Sequence, residues 1–91
     1  MPIYNAGGTL VSNQHAVFGT GVQDQAGSPS LTVTLTGSAV FTSAGTYTCQ
    51  AKDTAAATTP AITYNTGTSF KLAYGNGSNK GDTMSYWCFG Y

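Results

Sequence analysis

The sequence predicts an all-β chain folded as a small antiparallel β-sandwich of the jelly-roll kind. Three observations point there. Apolar and polar residues alternate through several short stretches, β-branched Thr and Val crowd those stretches, and turn-forming residues separate them at short intervals. The length of 91 residues suits one domain spanning 1–91, with residues 1–14 as an extended N-terminal arm.

Taken in order, residues 16–22 (AVFGTGV) form a first strand weakened by two glycines. Residues 31–36 (LTVTLT) alternate strictly, the mark of a strand with one dry and one wet face. Residues 46–51 (TYTCQA) repeat that design, with Tyr47, Cys49 and Ala51 facing one way. Residues 61–64 make a shorter strand entered from Pro60, and residues 69–74 (SFKLAY) turn Phe70, Leu72 and Tyr74 inward. Residues 26–29, 65–68 and 75–81 are turns, the last expected to close a hairpin onto the final strand. Residues 53–58 read as a loop, because Pro60 stops any helix begun there.

The final stretch, residues 82–91 (DTMSYWCFGY), departs from the alternation. Met84, Tyr86 and Cys88 occupy one face, and Trp87, Phe89 and Tyr91 the other. A strand apolar on both faces must be covered on both, and a chain this small has few residues to spare for the second cover. Trp87, Phe89 and Tyr91 are therefore expected to meet a neighbouring subunit, aromatics being enriched at such contacts. Two alternatives stand beside this one: a corner inside a single sandwich, and an exposed Trp87 platform on which a sugar stacks.

Composition excludes several functions. Charged residues are 7% of the chain, with Lys52, Lys71 and Lys80 against Asp24, Asp53 and Asp82, and the net charge is zero. Three lysines are too few to neutralise a nucleic-acid backbone. No apolar run approaches the roughly 20 residues of a membrane span, so no membrane insertion is expected, and the first residues carry no signal-peptide pattern. His15 is the single histidine and stands without a catalytic signature, so no enzyme is expected. The three aspartates sit in turn-like contexts, where such side chains commonly bond their own backbone. The glycine-rich 75–78 segment lacks the following helix of a phosphate loop. No cofactor and no metal site are expected, since one histidine and two distant cysteines make a poor zinc set. Cys49 and Cys88 can form a disulfide or remain buried thiols, and synthesis in a reducing cytoplasm favours free thiols. A glycan site would combine an aromatic face with convergent polar groups, drawn from Tyr74, Trp87 or Tyr91 with Asn76, Asn79 or Asp53.

Three segments, residues 40–53 (VFTSAGTYTCQAKD), 64–70 (YNTGTSF) and 81–90 (GDTMSYWCFG), resemble the small C-terminal β-domains of bacteriophage tail-fibre and related virion fibre proteins. The resemblance covers residues 31–91 and rests on the order and spacing of these pieces. It implies a homotrimeric knob on a virion or an extracellular particle, made in the cytoplasm, contacting host-surface glycans or other receptors and other virion proteins. The trimer comes from this resemblance alone. About 30 residues precede the matched region, so no long fibre shaft is expected here. A free-standing small lectin of similar fold is the other expectation.

Overall fold

The computed structural model describes residues 2–25, 27–74 and 79–91. Six strands carry the chain: β1 His15–Val22, β2 Ser30–Thr34, β3 Tyr47–Asp53, β4 Ala61–Thr66, β5 Ser69–Ala73 and β6 Thr83–Gly90, with a 3-10 turn at Gly37–Ala39. They pair antiparallel into two three-stranded sheets, β1–β6–β3 and β2–β5–β4. The all-β expectation holds, and the alternating stretches became strands because Thr, Val and aromatic side chains suit a pleated, half-buried surface.

One expected connection does not form. β5 and β6 were expected to pair as a hairpin through residues 75–81, but they belong to different sheets. β6 instead lies between β1 and β3. The centre of a sheet is the place for the strand whose two faces are both rich in apolar groups, and β6 is that strand. The β4–β5 hairpin through Gly67 forms as expected, with a register shift between Tyr64 and Thr66.

Both sheets contribute to a single core. Tyr47, Cys49, Met84, Tyr86 and Cys88 come from the first sheet, and Val33, Phe70 and Leu72 from the second, with Leu35 and Phe41 joining from the β2–β3 connection. Rings meet edge to face across the sheets, Tyr47 with Tyr64 at 5.1 Å and Phe70 with Tyr86 at 5.4 Å. Hydroxyls tie the same rings to backbone. The Tyr47 hydroxyl donates to the Thr66 carbonyl at 2.8 Å, and the Cys49 N–H donates to the Tyr64 hydroxyl at 2.9 Å. The second bond satisfies a backbone group on β3, a strand at the sheet edge. Burial raises the Tyr47 hydroxyl above its ordinary pKa, with Tyr64 adding to the effect.

The glycines of β1 have a packing role. Gly19 leaves room for the Tyr86 ring, and Gly21 for Leu31. Gly67 is more constrained, since an added Cβ would land on the Phe41 carbonyl oxygen while the Phe41 N–H donates to the Gly67 carbonyl at 2.8 Å. Backbone cannot yield there without losing that bond. Gly67→Ala is expected to cost about 2–3 kcal/mol, read as a lowered urea midpoint; an unchanged midpoint would show that the β4–β5 turn can move aside.

Cys49 and Cys88 are joined as a disulfide, which corrects the expectation of free thiols. The physical reason is register. The two residues face each other directly across the β3–β6 ladder, with Cα atoms 4.0 Å apart, the close spacing of a non-hydrogen-bonded antiparallel pair. The N-terminal segment carries one isolated antiparallel bridge before β1. It folds back on itself, with Tyr4 bridged to Leu10 and the Asn5 side-chain amide oxygen accepting from the N–H groups of Gly7 and Thr9.

Candidate functional site

β6 is the centre of its sheet, so its outward positions define the middle of an open face. Those positions are Thr83, Ser85, Trp87 and Phe89. Register places Phe18 of β1 on one side of Trp87 and Gln50 of β3 on the other. The next rows are Ala16, Phe89 and Thr48, then Thr20, Ser85 and Lys52. Trp87 and Phe89 stack with ring centroids 5.2 Å apart and planes 10° from parallel. Phe18 is 75% exposed, Val22 58% and Trp87 40%. One sheet face thus presents an aromatic ridge to its surroundings, and contiguous apolar exposure of this kind marks an interaction surface.

Two depressions flank the ridge. One, of about 160 Å³, is lined by Gln50, Ala51, Lys52, Ser85 and Trp87. The other, of about 200 Å³, lies at the Phe89 end against Ile3, Gln14, His15 and Ala16. The first sets an amide, an ammonium and a hydroxyl around an indole. That chemistry suits non-covalent recognition of a ligand with an apolar face and hydroxyl edges.

Of the residues expected at a subunit contact, Trp87 and Phe89 lie together on this face. Tyr91 lies beyond the strand end, half-buried, with its carbonyl accepting from the Thr42 N–H at 2.9 Å and the Thr46 hydroxyl at 2.7 Å. Phe18, Gln50, Lys52 and Ser85 were not anticipated. Phe18 was legible in principle, since it shares the parity of Thr20 on a strand whose other positions include both glycines. Gln50, Lys52 and Ser85 needed the strand order. His15, the single histidine, lies at the start of β1. It is half-buried and stacks on Phe41 at 4.3 Å, its two ring nitrogens 2.9 and 3.2 Å from the Asn13 and Ala39 carbonyl oxygens.

The expected glycan residues Tyr74, Asn79 and Asp53 converge at the other end of the same sheet; Asn76 lies outside the described residues. The polar atoms of Asp53 and Asn79 are buried, which does not suit a surface glycan. Asp53 is 4% exposed, accepts from the Ala55 N–H at 2.7 Å and from the Asn79 amide at 3.4 Å, and shares a hydrogen bond with Asp82. Burial pushes the Asp53 carboxyl up, but hydrogen bonds from Asp82, Ala55, Asn79 and Ala56 outweigh it and leave the pKa below the ordinary value. The Asp53 hydrogen bond, burial and the Asp53 charge raise Asp82. The Tyr74 hydroxyl donates to the Thr58 carbonyl at 3.0 Å beside this pair.

No protein-family description, curated protein or solved structure matches this chain.

Proposed function

We propose that this chain is a non-enzymatic assembly and recognition module, a jelly-roll-like β-sandwich that forms a homotrimer on a phage fibre or phage-like particle and contacts a host-surface glycan or receptor. The aromatic ridge of Phe18, Trp87 and Phe89 carries the reading. A second copy is the occupant that suits it best: the chain has no net charge to repel its like, and rings this exposed gain by leaving water. The disulfide is in keeping with a particle that works outside the reducing cytoplasm. The number three rests on the likeness to fibre knobs.

Light scattering of the purified oxidised chain is expected to give a trimer at micromolar concentration. Phe18→Asp, an exposed position where a charge disturbs no core, is expected to give a folded monomer. A wild-type monomer overturns the assembly reading. The depression holding Gln50, Lys52 and Ser85 beside Trp87 favours a second reading, a free-standing lectin in which the ridge is an open sugar platform. A glycan array separates the two. Selective binding by a monomer, lost in Trp87→Ala, supports the lectin; a trimer silent on the array supports assembly.

A further inference from the structure

We propose that the depression between Trp87 and Lys52 binds a single anionic sugar ring, a hexopyranose bearing a carboxylate or a sulfate. The inference rests on the glycan contact proposed above and names what that contact selects.

The indole offers one free face. Along the outer side of β6 the order is Ser85, Trp87, Phe89. Phe89 stacks on the indole with centroids 5.2 Å apart, which leaves the other face of Trp87 toward Ser85. That side is where Gln50, Ala51, Lys52 and Ser85 line the depression. A sugar ring carries C–H groups on one face and hydroxyls at its edge, so it stacks on a π-face and turns its edge to polar groups. The volume of about 160 Å³ falls below the roughly 300–1,000 Å³ of pockets that take drug-sized ligands, which fits one ring and not a chain.

Register adds backbone groups to the side chains. The Thr54 N–H donates to the Thr83 carbonyl at 3.0 Å and the Tyr91 N–H to the Thr46 carbonyl at 3.1 Å. Even-numbered positions of the β3 ladder therefore bond to β6, and odd-numbered ones turn to the free edge of the sheet. Cys49 obeys this, since its N–H donates away from β6 to the Tyr64 hydroxyl at 2.9 Å. Two residues on, the Ala51 N–H and carbonyl leave by the same edge, and among the described residues no hydrogen bond takes them up. They are a donor and an acceptor for ring hydroxyls, fixed by the strand itself.

Lys52 decides the class of sugar. It is exposed, stands opposite Ser85 in the ladder, and has no ion pair among the described residues. Asp53, the next residue, turns to the other face, where it is 4% exposed and bonded to Ala55 and Asn79. No carboxylate lines the depression, so its one charge is positive and calls for an anion. A lysine ammonium is a compact point charge without the planar fork of arginine, so it selects the ligand's charge and not the shape of its acid group. Carboxylated and sulfated rings therefore form one class here.

A glycan array carrying carboxylated, sulfated and neutral sugars, probed with the full oxidised chain and followed by titration of the sugars that bind, tests the site. Anionic sugars are expected to bind about tenfold more tightly than their neutral counterparts, and to lose that advantage in about 0.5 M sodium chloride. Binding of either anionic kind upholds the proposal and identifies the acid group. Lys52→Gln, at an exposed position, is expected to fold and to bring anionic sugars down to the neutral level. Lys71→Gln, exposed on the other sheet, is expected to change nothing. Equal binding of neutral and anionic sugars overturns this inference and leaves the sugar site standing. An anionic preference that survives Lys52→Gln overturns it as well, and silence toward every sugar overturns both the inference and the glycan contact beneath it.

Discussion

Replacing Cys49 and Cys88 together by alanine is expected to lower the stability of the folded chain by about 4 kcal/mol. The two residues are 39 apart in sequence, and closing a loop of that size removes about this much from the unfolded chain's freedom by the entropy estimate. The loop contains β4 and β5, so the bridge restricts the unfolded second sheet as well as the ladder it crosses. Small domains have only about 5–15 kcal/mol in hand. Loss of the bridge therefore removes a large part of the total. Urea unfolding with and without reductant measures it: a strongly lowered midpoint on reduction is expected, and coincident curves would show that β3 and β6 hold each other without the bond.

Phe70→Ala is expected to cost about 3–5 kcal/mol, and the contrast with Phe18→Ala is the informative part. Phe70 is 0% exposed and its ring meets Tyr47 at 6.2 Å and Tyr86 at 5.4 Å, both from the opposite sheet. Truncation leaves a cavity where the sheets join, and Tyr47 beside it is tethered and collapses into it only partly. Tyr47 is held by its bond to the Thr66 carbonyl. Phe18 is the same residue type on the outer face, and its truncation is expected to change the isolated chain's stability by less than about 0.5 kcal/mol. Equilibrium urea unfolding of the two variants under conditions that keep each monomeric checks both values. Equal losses would mean that the ridge belongs to the single chain's own core, and the assembly reading would fail with it.

Strand positions were legible because alternation is local. Leu31 to Thr36, Tyr47 to Ala51 and Phe70 to Tyr74 each state which side is dry without reference to any other part of the chain, and Val33, Tyr47, Cys49, Phe70 and Leu72 are buried accordingly. The two-sided apolar character of the last strand was equally plain in its own residues. Which strands become neighbours is another kind of fact. It depends on how the apolar faces of the whole chain can be covered at once, and no window of ten residues contains that information. The hairpin expected between β5 and β6 failed for this reason, and so did the free thiols: chemistry of the compartment argued one way, but a register set across 39 residues placed the sulfurs opposite each other. The candidate sites divide along the same line. Trp87 and Phe89 were visible in the sequence as an uncovered face; their neighbours Phe18, Gln50, Lys52 and Ser85 stand beside them only because β6 lies between β1 and β3. The sequence by itself determined which side of each strand seeks cover, because side-chain direction alternates along a single strand; the tertiary structure alone decided what stands beside what, because strand pairing joins residues that the chain keeps far apart.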